Sequence, residues 1–354
     1  MKDKDLCSFY SENWEKPIAL ARKEFFQWQF SMAPEAHDKN HSVVALADGK
    51  IIAVLGAAPR SFLSNGQTRR AAELTTWIVA PEARGRGVGS GILRFLQERY
   101  DILTGAGITA QALPLYLKAE FTFLAHIPRF FFVSQFGRLN KFTTPRAAAL
   151  AAVEKRQGMA QEVPFSVSAC QASQLAGAAG AKEFGQSQNV RNAAYLKWRY
   201  DNHPVFQYES FLVSDRSDFL SQTGVILRQD NFDGVPFLHL VDVIGAPKHF
   251  GVAISFMETE ARSRGCAFVD ASATSGHLHL VFQARGWNSV IDDPLIELPS
   301  LFYPLELRRP PTTSLVFWSR DEKELLYDFS RLHFTKGDLD MDRPTLDFYQ
   351  KVGR

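Results

Sequence analysis

The chain of 354 residues is poor in several features that would narrow its role at once. It holds three cysteines, Cys7, Cys170 and Cys266, far apart and never as C-x-x-C, which argues against a zinc knuckle or a disulfide framework. It lacks an excess of either charge: 40 basic residues stand against 38 acidic ones, so no bulk electrostatic attraction to nucleic acid is expected. No uninterrupted apolar run approaches the length of a membrane span. The first residues, MKDKDLCSFYSENWEK, are polar and contain no apolar signal core. A cytoplasmic protein acting on small molecules, without nucleic acid or membrane as partner and without a metal, is the expectation. What the chain does have is apolar content, 45% of residues, and a length that suits two domains.

Along the first half, VVALA and IIAVLGAA within 43–57 read as strands joined by the turn Asp48-Gly49-Lys50. AAELTTWIV reads as a third strand. A helix with Ile92, Leu93, Leu96 and Tyr100 at helical spacing follows, then strand DILTGAG, a helix near 110–120 and strand PRFFFVS. An Ala-rich stretch bracketed by prolines, 143–164, reads as a linking helix and boundary. Beyond it the order repeats: strands FLVSD, TGVILRQ and FLHLVDVIG, a helix over about 250–264, strand CAFVDAS and a helix through SGHLHLVFQARGW. Each half also opens with Trp, an aromatic two residues on and Pro six residues on: Trp28, Phe30, Pro34 and Trp198, Tyr200, Pro204. Two copies of one fold account for both repetitions.

The stretch WIVAPEARGRGVGSGIL, 77–93, carries the chemistry. Its glycines, Gly85, Gly87, Gly89 and Gly91, miss the dinucleotide fingerprint in both registers, at Ser90 and at Ile92, and no Lys follows them as a P-loop requires. A strand running into Arg84-x-x-Gly87-x-Gly89 and then a helix instead makes an anion cradle from main-chain N–H groups and the helix dipole.

The run Val79-Ala80-Pro81-Glu82-Ala83-Arg84-Gly85-Arg86-Gly87-Val88-Gly89 resembles the acyl-CoA motif of the Gcn5-related N-acetyltransferase (GNAT) superfamily, V-x-P-x-x-R-G-x-G-x-G. Tyr116-Leu117-Lys118-Ala119-Glu120-Phe121 is similar to that family's Y-x-K-x-G-F, with Glu120 in place of the glycine. The resemblance implies an α/β (α+β) protein of two tandem GNAT-like domains, each a mixed, mostly antiparallel twisted sheet flanked by helices, over 1–142 and 165–354. It implies acyl-CoA as co-substrate. The N–H groups of Gly85, Arg86, Gly87, Val88, Gly89 and Ser90, behind Arg84, would hold its pyrophosphate, and the strand end at Trp77, Ile78 and Val79 would pair with the pantetheine arm. Glu73 stands where the family often carries a general base; a strand carboxylate facing solvent or paired with Arg69 or Arg70 is the other reading. Tyr116 stands where the family commonly puts the acid for the departing thiolate; the alternative is a half-buried helix tyrosine.

The second half has no equivalent loop: Lys248, His249 and Gly251 stand in its place. One CoA per chain is therefore expected, with the second half shaping the acceptor side. The segment from Val190 to Pro204 and the tail FTKGDLDMDRP resemble parts of tandem GNAT proteins of bacterial surface-polysaccharide pathways. That likeness implies a nucleotide-linked amino sugar, dTDP-linked, as acceptor, on the way to O-antigen or lipopolysaccharide. Arg199 is a candidate phosphate clamp, and Trp198, His203, His239 and Asp242 are candidate sugar contacts, with core packing as the alternative for Trp198 and satisfied burial for His239. Another small amine or aminoacyl acceptor, or a non-catalytic acyl-CoA sensor, are the rival functions. Asp338, Asp340 and Asp342 alternate before Arg343, but the glycine of a calcium loop is missing, so the run reads as a solvated or Arg-paired turn.

Overall fold

The computed structural model describes the chain apart from residues 1, 15, 143–146, 160–162, 179–186, 292–296, 301, 302, 304, 308–310, 323–327, 341, 353 and 354. Two helices, α1 (Asp3–Asn13) and α2 (Lys23–Phe30), precede an antiparallel meander of β1 (Val43–Ala47), β2 (Lys50–Ser64) and β3 (Gln67–Val79). Helix α3 (Val88–Gln97), strand β4 (Ile102–Ala106), helix α4 (Leu113–Lys118) and strands β5 (Thr122–Leu124) and β6 (Arg129–Val133) follow. Helix α5 (Ala147–Gly158) lies in the stretch expected to link the halves, whose residues 143–146 and 160–162 fall outside the described ones. Then come β7 (Phe165–Cys170), β8 (Gln188–Asn189), α6 (Ala193–Leu196) continued by a wide turn through Asp201, and a second meander, β9 (Glu209–Asp215), β10 (Asp218–Phe232) and β11 (Val235–Ile244). Helix α7 (Phe250–Ser263), β12 (Phe268–Ser272), α8 (Gly276–Ala284), β13 (Asn288–Ser289), β14 (Leu315–Ser319) and α9 (Leu346–Val352) complete the order.

Among the described residues the strands form two sheets of seven. The order in the first is β1-β2-β3-β4-β14-β5, with β8 beside β2; in the second it is β13-β6-β12-β11-β10-β9-β7. Each sheet has one parallel pair, β3 with β4 and β11 with β12; the other pairings are antiparallel. The mixed, mostly antiparallel sheets and flanking helices match the expected fold class.

The sheets do not respect the boundary drawn at 143–164. Strand β6, which the sequence assigns to the first half, is inserted between β12 and β13 of the second sheet, and β14 is inserted between β4 and β5 of the first. The halves have exchanged their closing strands. Composition explains why this holds: all five residues of β6, RFFFV, are buried, and Arg129 at its head donates through Nε to Asp270 of β12 at 2.7 Å. A buried guanidinium left without that carboxylate would be strongly destabilising, so the pair fixes where the strand lies.

The repeat signal has a direct physical counterpart. Trp28 and Trp198 stack with centroids 5.1 Å apart. Each indole N–H donates to the other residue's main-chain carbonyl, Trp28 to Trp198 O at 3.2 Å and Trp198 to Trp28 O at 2.8 Å. The matching tryptophans thus meet each other in one core.

Candidate active site

Strands β3 and β4 pair only over Ala71–Leu74 and Ile102–Gly105, then part. Strand β3 stays bonded to β2 through Val79, but its register slips between Leu55 and Gly56, leaving Thr76 as the extra residue. Thr76 has φ of 51°, left-handed and strained for a β-branched side chain. A bulge of this kind turns main-chain groups out of the ladder, here into the gap where β4 has left. A cavity of about 450 Å³ occupies that gap, lined by Leu74, Thr75, Thr76 and Trp77 of β3, Ala106 of β4 and the following loop, and Tyr116 of α4.

The loop at the mouth has the geometry of an anion cradle. Residues 84–87 are exposed, Gly85 (φ 74°) and Gly87 (φ 79°) are left-handed, and nothing lies within 4 Å of where their Cβ atoms would stand. Gly87 caps α3 without a side chain, so the N–H groups of Val88, Gly89 and Ser90 have no partner within the helix. Arg84 donates from Nε to Val79 O at 3.0 Å, tying the loop back to the strand end, and Arg86 is exposed beside it. Gly89 has a different reason to be glycine: a Cβ there would sit 2.8 Å from the Trp77 ring. The strand end Trp77, Ile78, Val79 and the cradle are thereby contiguous.

Tyr116 lies on the wall of the cavity, its ring edge-on to Trp77 at 5.3 Å. Burial pushes its hydroxyl well above the ordinary tyrosine range, so it stays protonated. Glu73 is placed differently. It is buried one layer behind the cavity, paired with Arg60 at 2.7 Å rather than with Arg69 or Arg70. Burial pushes its carboxyl up to about 7, with Arg60 opposing and Asp340 reinforcing the shift.

The carboxylate that does face the cavity comes from the far end of the chain. Asp340 accepts a hydrogen bond from the Thr75 hydroxyl, and Arg343 contacts Asp340 at 3.1 Å, Thr75 at 3.3 Å and the Thr76 hydroxyl. Both tail residues line the cavity with Trp14, and Ser300, Thr312 and Thr313 of the second half close its other side. The sequence did see an Arg-paired turn here, but gave no sign that it folds back onto the first sheet. Its neighbours hold it there: Asp338 pairs with Arg191 at 2.6 Å, and Asp342 with Arg228 at 2.6 Å, Lys336 at 2.7 Å and Arg199 at 3.3 Å, all buried.

That network corrects the expected acceptor contacts. Arg199 is not a phosphate clamp: it donates to Gly337 O at 3.0 Å, to the Tyr208 hydroxyl at 3.1 Å and to Asp342. Asp242 accepts from Arg191 at 2.9 Å and Tyr200 at 2.9 Å. His239 lies between Asp270 and Asp230 at 2.5 Å and 3.1 Å. His203 accepts at Nδ1 from the N–H groups of Val205 and Phe206, and burial holds it well below the usual histidine range. Trp198 is the core tryptophan already described. None of the five lines the large cavity. Arg199, Asp242 and His203 bond to the tail, whereas His239 and Trp198 are held by other parts of the core.

In the second sheet the matching gap is closed by the chain itself. Strand β11 leaves β12 after Leu240, and its register slips at Val241 as β3 slips at Thr76. Residues 332–338 fill the space: Thr274 N–H donates to Phe334 O at 3.0 Å, His333 Nε2 donates to Val243 O at 2.9 Å, and the Thr335 hydroxyl donates to Asp242 at 3.0 Å. His333 also stacks on Phe250, the first residue of α7.

Among the described residues no group of His, Cys, Asp and Glu has the arrangement of a metal site, and no helix is long and apolar enough to cross a membrane. Residues 4–119 match the sequence model of the acetyltransferase (GNAT) family. No curated protein sequence matches the chain. Two solved structures are similar in fold: a GCN5-related N-acetyltransferase from Anabaena variabilis ATCC 29413, at 13% identity and TM-score 0.53 over 88% of this chain and 69% of that one, and another from Kribbella flavida, at 17% and 0.51 over 90% and 68%. The likeness of fold therefore runs through both halves, beyond the segment that the family model reaches. Residues 4–119 are thus similar to the acetyltransferase (GNAT) family, and the chemistry is that of an acyl-CoA-dependent N-acyltransferase.

Proposed function

We propose that the chain transfers a short acyl group from acyl-CoA to the primary amine of a small acceptor, with Asp340 as the group that takes the ammonium proton. The observation that carries this reading is the placement of the Asp340 carboxylate on the cavity wall beside the Thr75–Thr76 bulge. The cradle at Gly85–Ser90 supplies unpartnered N–H groups for the CoA pyrophosphate, and the unpaired side of β3 offers main-chain groups to the pantetheine arm. With the thioester beside the bulge, an N–H turned out of the ladder stabilises the oxyanion. Tyr116, held protonated, stands as donor to the departing sulfur. The second half is read as a second copy of the fold whose own gap is filled by residues 332–338, which supports one CoA per chain. A nucleotide-linked amino sugar remains an acceptor to test, although the residues expected to bind it are engaged with other parts of the chain; the hydroxyl-lined second-half wall at Ser300, Thr312 and Thr313 is the surface it would meet.

The test is thiol release from acetyl-CoA across a panel of amines that includes dTDP-amino sugars. Release with at least one amine, lowered ~100-fold by Asp340→Asn, is the expected result. CoA binding without thiol release for any acceptor would make the chain a sensor, and the absence of CoA binding would overturn the reading altogether.

A further inference from the structure

A second cavity, of about 20 Å³, lies behind the wall formed by Asp340 and Arg343. It has room for one water molecule. Gln29 of α2, Arg60 of β2, Glu73 of β3, Arg199 and the tail residues Asp340, Asp342 and Arg343 surround it, so these are also the charged groups that face Glu73. Two polar atoms here are buried without a hydrogen-bond partner among the described residues: Gln29 Oε1, an acceptor, and Arg60 Nε, a donor. Both side chains are more than nine-tenths buried. The rest of each is fixed. Gln29 Nε2 donates to Asp340 at 3.3 Å, and Arg60 donates to Glu73 at 2.7 Å and to Pro59 O at 3.0 Å. A buried donor and a buried acceptor without partners are each costly, and one water satisfies both.

We propose that this cavity holds one ordered water, placed by Gln29 Oε1 and Arg60 Nε, that joins Asp340 to Glu73 so that the two carboxylates share a single proton. The proposal rests on Asp340 being the group that deprotonates the acceptor. Arg60 N–H donates to the water, and the water donates to Gln29 and to Glu73. When the acceptor ammonium passes a proton to Asp340, Asp340 donates it to the water, which passes one of its own protons to Glu73. Asp340 is again a carboxylate. The neutral amine then forms the C–N bond as the C–S bond breaks, and the remaining amine proton ends on the CoA sulfur. Glu73 later returns its proton to solvent. A carboxyl that burial has pushed up to about 7 is matched to receive and release a proton near neutrality. Gln29 and Arg60 are positioning residues in this arrangement, supplied by elements that do not touch the acceptor.

The test uses the full chain and two variants, Glu73→Gln and Gln29→Leu, with folding checked by thermal melting. Without substrate, infrared difference spectra against pH are expected to show a protonated-carboxyl C=O band that titrates at about pH 7, is missing in Glu73→Gln and has a shifted midpoint in Gln29→Leu. In turnover, the limb of kcat that rises through neutral pH is expected to vanish in Glu73→Gln, and kcat to fall ~10-fold in both variants with KM for acyl-CoA unchanged. Absence of the titrating band, or a Gln29→Leu protein with the wild-type midpoint and kcat, overturns the proposal. If no amine accepts an acyl group, the proposed function fails, while the infrared arm still decides whether Gln29 links to Glu73. Should Gln29→Leu not fold, Arg60→Lys, which keeps the charge and removes Nε, takes its place in both arms.

Discussion

Asp340 and Glu73 divide one task between two environments. Asp340 faces the cavity and meets the acceptor, whereas Glu73 is sealed behind it against Arg60. Replacing Asp340 by Asn removes the proton acceptor with little change of shape, so kcat is expected to fall ~100-fold while acyl-CoA affinity, measured by titration, holds. Glu73 also sets a pH dependence of stability. Its folded carboxyl lies above the ordinary glutamate value of 4.5, so the native state binds the proton more tightly than the unfolded chain does. The stability tied to that proton is fully present below 4.5 and is lost as pH rises through about 7. The melting temperature of the wild type, measured against Glu73→Gln, is expected to decline across that window and then level off. Glu120 gives a simpler case. The family's glycine position is filled by a glutamate, yet the backbone still adopts the left-handed turn, with φ of 63°. Glu120→Gly is expected to stabilise the fold by about 0.5–1 kcal/mol, read by denaturant unfolding, because glycine meets no Cβ clash there.

Among the elements, the start of α3 fits closely against β3. A methyl at position 89 would enter the Trp77 ring. Gly89→Ala is expected to destabilise by about 1–3 kcal/mol and to weaken CoA binding, as helix and strand end are pushed apart. Most elements were legible in the sequence. The two meanders, the helices that follow them and the glycine loop rest on local periodicity and turn residues, which act within a few positions. Strand exchange was not legible. β6 reads as an ordinary buried strand in either sheet, and what decides between them are distant partners, such as Asp270, 141 residues from Arg129. The same holds for the site. The CoA loop is one contiguous motif and was visible. Asp340 lies 265 residues from the Thr75 it meets, and no local pattern marks it. The acceptor residues were misread for a related reason. Arg199, His239 and Asp242 look like ligand-binding groups, and they do bind, but their ligands are other parts of this chain.

At the scale of the whole molecule, the tail is a tie between the halves. Residues 332–338 fill the gap of the second sheet, and the next few residues carry Asp340 and Arg343 into the gap of the first. One gap is closed so that the other can be armed. Breaking the tie should separate function from binding. Loss of both side chains that enter the first gap, Asp340→Ala with Arg343→Ala, is expected to abolish thiol release while the cradle at Gly85–Ser90 still takes up CoA, detectable by titration calorimetry.

The exchanged strands bear on how the protein is made. Strand β5 ends at Leu124, and the strand that must lie between it and β4 ends at Ser319, 195 residues later. At roughly 5–20 residues per second, synthesis leaves that slot in the first sheet open for about 10–40 s. For that interval two unpaired strand edges flank an apolar gap, a template for any passing extended chain. The nascent first half is therefore a natural client for a chaperone, and a ribosome stalled before residue 315 would release an adhesive fragment rather than a folded domain.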